Sequence, residues 1–115
     1  MDLVKKYGLV IAFGTDTFGD LGIEPLAMKE FTTRTNWYTP IEVLKQATSI
    51  NAELFALSEK LNPYPDGKLG VIEEEAYADL LIYDGNPLED IQVIVDFDNR
   101  LKLIMKDGKI YKNQL

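Results

Sequence analysis

Asp16 stands where a run suited to burial gives out. The stretch GLVIAFGTDTFGD, residues 8–20, opens with apolar residues from Leu9 to Phe13 and no polar alternation. That pattern predicts a strand over 8–13 covered on both faces, as in a parallel sheet packed between helices. Gly14 and Thr15 then break the run, and Asp16 offers a carboxylate just past the strand's carboxyl end. In α/β folds that is where ligands and catalytic groups are placed. The same residues also suit a plain turn or helix cap, since Asp-Thr and Gly-Asp are common loop pairs. Both readings stay open on this stretch alone.

The rest of the composition restricts what Asp16 could work with. The 115 residues include no histidine and no cysteine. Imidazole is the commonest metal ligand and the usual acid or base at neutral pH, so no histidine-based site can form within this chain. Disulfides and thiolate metal sites are excluded likewise. If Asp16 is catalytic, its partners lie on another chain or on residues outside this one. A net charge of −7 argues against nucleic acid, whose phosphates need a basic surface, and the lysines form no stripe. Glu73, Glu74 and Glu75 read as a solvated turn. No apolar run approaches a membrane span, and the opening residues do not read as a signal peptide, which fits a cytoplasmic protein. An apolar share of 46 % and a charged share of 27 % are those of a folded domain rather than a disordered one.

Several elements must position that carboxylate. A Gly-rich loop runs from the predicted strand through residue 22, and a helix is predicted near 24–35. Thr39, Pro40 and Glu42 form a capping box with proline at the first helical position, which starts a helix sharply. Ile41, Leu44, Ala47 and Thr48 follow at helical spacing and predict one packed face. Thr48 and Ser49 interrupt the pattern and predict a separate short helix over 50–58 that buries Ala52, Phe55 and Leu54. The cluster NPYPDG, residues 62–67, is a dense set of breakers and a boundary. Short β segments follow at 69–72 and 79–83, with a strong turn at 84–87. Two apolar runs around Asp107-Gly108 predict a hairpin. Neither half closes by itself, because one buried strand lacks ladder partners and a few short strands make a marginal sheet.

Four stretches carry a resemblance to a known family: IAFGTD at 11–16, TPIEVLKQATSINAEL at 39–54, KLGVIEEEAYADLLIYDGNPLEDI at 68–91 and LIMKDGKIYKN at 103–113. Their order and spacing resemble the C-terminal region of the amidohydrolase superfamily, in its imidazolonepropionase-like and Xaa-Pro dipeptidase-like branch. The resemblance implies an α/β fold: the last strand and closing helices of a (β/α)8 barrel over 1–61, then the C-terminal part of a composite β-sandwich over 62–115. It implies that Asp16 is the aspartate at the end of the eighth strand, a metal ligand that also moves protons. It implies a divalent metal, zinc, in the intact parent, with none held tightly by this chain alone. The activity implied is hydrolysis of carbon–nitrogen bonds in amides, cyclic amides or dipeptides. The family's histidine ligands, its lysine and its HxH motif lie on earlier strands and are absent here. A barrel needs roughly 250 residues. The Pro-Gly usual before the Ala-Asp-Leu run is replaced by Glu74 and Glu75. The substrate, a small molecule, is set by all eight barrel loops, of which these residues supply one.

A reading of another class competes with this one, a stand-alone interaction or assembly module derived from such a tail. Either way an uncovered strand at 9–13 would recruit other chains, so self-association is expected.

Overall fold

The computed structural model describes residues 2–16 and 24–115. A short helix α1, Asp2–Tyr7, is followed by residues 9–16, which adopt no regular secondary structure. The predicted strand 8–13 is therefore corrected. A strand needs a neighbour for its backbone groups, and here side chains from the helices take that place. Much of the predicted Gly-rich loop lies outside the described residues.

Helix α2, Glu24–Arg34, is met as predicted. The next helix begins where the capping box places it. The Glu42 carboxylate accepts from the Thr39 N–H at 2.7 Å and from its hydroxyl at 2.8 Å, with Pro40 in the first turn. The backbone bond from Thr39, the larger cause, holds the Glu42 carboxyl below its ordinary range. α3, Pro40–Lys45, then passes without a break through a π-helical turn, Gln46–Ile50, into α4, Asn51–Ala56. The expected interruption at Thr48 and Ser49 does not occur. The Thr48 hydroxyl donates to the Leu44 carbonyl at 2.8 Å, a bond along the same helix rather than a new cap. The buried face is also not the predicted one. Val43 is fully enclosed and Gln46 nearly so, while Ile41, Thr48, Leu54 and Phe55 are exposed.

A short 3-10 turn, Glu59–Leu61, closes the helical half. Past the breaker cluster the chain forms a three-stranded antiparallel sheet in the order β1, Leu80–Tyr83, β2, Leu101–Lys106, and β3, Lys109–Asn113. The β2–β3 turn is the predicted Asp107-Gly108, with both residues left-handed at φ 53° and 73°, as a two-residue hairpin of matching twist requires. The Asp79 carboxylate anchors it, accepting from the Asp107 N–H and the Lys106 ammonium, both at 2.6 Å. Between β1 and β2, beyond the predicted turn at 84–87, lie two single-turn helices that the sequence pattern did not announce, α5, Gln92–Val95, and α6, Phe97–Arg100. Ile91, Ile94, Leu101 and Leu103 are buried there, and α5 packs against α2.

The segment 69–72 is not a strand in the sheet; only Lys68 makes an isolated bridge, to Ala76. Its role is contact with the helix. Gly70 has φ +70°, and a Cβ there would lie 2.5 Å from the Thr48 backbone. Glycine alone permits that approach to the π turn. Among the described residues no helix is long and apolar enough to cross a membrane.

Candidate active site

Asp16 ends the described part of the N-terminal segment, exposed, with φ +53°, a left-handed conformation that Asp tolerates better than most residues. What holds the segment lies just upstream. The Asn51 carboxamide bonds Phe13 twice, accepting from its N–H at 2.8 Å and donating to its carbonyl at 3.0 Å. Arg34 donates to the Ala12 carbonyl at 3.2 Å and lies over the Phe13 ring, 4.6 Å from its centre. Phe13 in turn packs on Phe31 at 4.4 Å between ring centres.

Arg34 is a buried cation with its charge answered. Its Nε meets the Glu30 carboxylate at 2.7 Å, one helical turn away, and its Nη1 donates to Gln46 Oε1 at 2.8 Å. Enclosing a guanidinium without such partners would cost several kcal/mol in lost hydration, on the order given for single buried ions. Gln46 and Asn51 both face this cluster because of the π turn. In an α-helix, residues five apart are displaced by about 140° around the axis; the i to i+5 closure of a π turn brings them to one side.

Sequence reading named Asp16 and missed Arg34, Gln46 and Asn51. A 3.6-residue period hides a pair spaced for a π turn. The available signal was two amides, Gln46 and Asn51, on a helix whose other inward candidates are apolar.

Among the described residues no three of His, Cys, Asp and Glu come together in a way that could hold a metal ion. With no imidazole or thiolate in the chain, Asp16 by itself does not fit a zinc centre, which takes at least three protein ligands. A separate groove of about 870 Å³ runs between the helix and the sheet, lined largely by apolar side chains including Leu44, Leu80, Ile104 and Met105. It meets the cluster at Asn51, and Asp16 is not in its wall.

The fold of this chain recurs in solved hydrolases. The chain superposes on a crystal structure of an amidohydrolase with a TM-score of 0.81 and 32 % identity over 99 % of its length. A crystal structure of a prolidase complexed with N-methylphosphonate-L-proline matches at TM-score 0.81 and 33 % identity over 98 % of this chain. A Xaa-Pro dipeptidase with methionine bound in the active site gives 0.73 and 30 % over 96 %. The chain is thus a relative of the amidohydrolases, with the α/β fold of their C-terminal part, and the resemblance read in the sequence holds. Among curated proteins, ochratoxinase of Aspergillus niger is 32 % identical over 109 residues, 93 % of this chain. The chain spans about a quarter of the length of these solved structures and a fifth of ochratoxinase. No protein-family model matches it.

Proposed function

We propose that this chain is the C-terminal portion of a metal-dependent hydrolase of carbon–nitrogen bonds and contributes Asp16 to its active site. The observation that carries this is the match to a prolidase structure over 98 % of the chain at 33 % identity. In this reading residues 1–61 are the last strand and closing helices of a (β/α)8 barrel, and 62–115 belong to a composite β-sandwich. β1 pairs only with β2 among the described residues, which leaves an edge for further strands. The histidines and other ligands come from polypeptide outside these residues. A divalent metal, zinc, would supply a water of lowered pKa. Asp16 would be a ligand and, as a carboxylate, could accept a proton and hand it on to a leaving nitrogen. The substrate is a small amide or dipeptide, and the setting is the cytoplasm.

The test is a chimera in which residues 1–115 replace the matching quarter of the prolidase. The chimera should hydrolyse an Xaa-Pro dipeptide, and Asp16→Asn should nearly abolish turnover while the protein stays folded. Full turnover in that variant with metal retained would return Asp16 to a turn-forming role. Residues 1–115 alone should show neither turnover nor stoichiometric zinc on metal analysis.

One observation favours a second reading, that of an assembly module. Leu9 and Val10 are 60 % and 76 % exposed in a segment that no strand covers. Association through residues 8–13 would hide them. Light scattering showing a strictly monomeric chain over a wide concentration range would rule this reading out.

A further inference from the structure

The Asn51 pair reproduces with a side chain what a neighbouring strand does with its backbone. In an antiparallel ladder, two opposed residues exchange an N–H···O bond in each direction. Asn51 offers Phe13 the same two bonds, at 2.8 and 3.0 Å, from a helix 38 residues further along the chain. The adjacent carbonyl, that of Ala12, is taken by Arg34. Two consecutive residues, four and three before Asp16, are thus held by side chains.

These side chains are themselves fixed. Arg34 is 6 % exposed and Gln46 4 %, and the guanidinium is locked between Glu30, Gln46 and the Phe13 ring. Burying a cation and an amide in place of two apolar residues brings no stability advantage. What the cluster does supply is direction, because a planar guanidinium and a carboxamide bond only at set angles.

We propose that Asn51, Arg34 and Gln46 are positioning residues: they clamp the backbone at Ala12 and Phe13 and so set where the turn 14–16, with the Asp16 carboxylate, stands. The π turn is the device that lets Gln46 and Asn51 serve one cluster. The meaning of the clamp for catalysis rests on the functional reading above, but its existence can be tested without it.

The test uses NMR on the 115-residue chain. In the native chain the Phe13 amide should exchange slowly, and residues 14–16 should have backbone order parameters near the rigid value of about 0.85. Asn51→Ala should speed Phe13 exchange at least tenfold and drop residues 14–16 below about 0.6. The Val43 and Leu103 amides should keep their protection, which shows that the fold survives. Asn51→Asp keeps the acceptor for the Phe13 N–H and should restore much of its protection. Arg34→Lys gives up the separate Nε bond to Glu30 and the planar fork that fixes the Nη1 donor, and should loosen residues 12–16 with Asn51 intact. A merely structural Asn51 would change overall stability and leave the order of 14–16 as it was. Unchanged Phe13 exchange in Asn51→Ala, or undiminished order at 14–16, overturns the proposal. Failure of Asp16→Asn to affect the chimera would overturn the functional reading and leave these results standing.

Discussion

In the β tail, residues 80–113, the buried side chains are Ile91, Ile94, Leu101 and Leu103, whereas in the helices over 24–56 they are Val43, Arg34 and Gln46. The tail encloses apolar surface, and water is expelled from it in the ordinary way. The helices enclose a charged and hydrogen-bonded cluster and leave Leu54, Phe55 and Ile41 outside. Within the tail the two sheet edges differ too. β3 carries Lys109 and Lys112, charges that discourage another strand from pairing, while β1, LLIY, has none. The tail gathers an apolar cluster, with α5 set against α2. The helices are organised to hold something else in place, the backbone leading to Asp16.

The largest test of this contrast is to remove apolar volume from each region. Leu103→Ala, in the enclosed tail, should lose about 2–5 kcal/mol in denaturant unfolding. The same truncation at Phe55, half exposed, should cost only a small part of that. Equal losses would mean that the helices share one apolar core with the tail.

The seam between the regions is next in size. Gly70→Ala introduces a Cβ 2.5 Å from the Thr48 backbone at a φ of +70°. Strain of that kind costs about 1–3 kcal/mol. The loss should appear as faster exchange along 69–72 and the π turn, with the hairpin amides unaffected. Loss of the hairpin as well would show that the two regions unfold as one.

The smallest effect is electrostatic and confined to the tail. The Lys106 ammonium, and then the Asp107 N–H, hold the Asp79 carboxyl below its ordinary value of 3.8. A depressed carboxyl stabilises the fold above its unfolded pKa, and that contribution is lost as pH falls through the lower folded value. The hairpin should therefore weaken below about pH 4. In Asp79→Asn that acid-induced step should shrink, as read from β3 amide exchange against pH.

Much of this was legible along the chain. Thr39, Pro40 and Glu42 announce a helix start because the cap is made by residues three apart. Asp107-Gly108 announces the hairpin because the turn's left-handed backbone restricts what can occupy it. The order of four short stretches was enough to point to the amidohydrolases. These are local signals, each decided within a few residues.

What only the tertiary structure decided concerns partners far apart in sequence. Residues 9–13 are apolar enough for a strand, yet whether they form one depends on a neighbour that composition cannot supply. The helix from 40 to 56 was expected to break at Thr48; a π turn carries it through, and packing buries Val43 and Gln46 rather than Ile41 and Thr48. Asn51 and Arg34 read as ordinary helix residues until the fold brings them against Phe13 and Ala12. Backbone hydrogen-bonding groups must find partners, but the sequence does not say whose, and that choice is made only when the chain has packed.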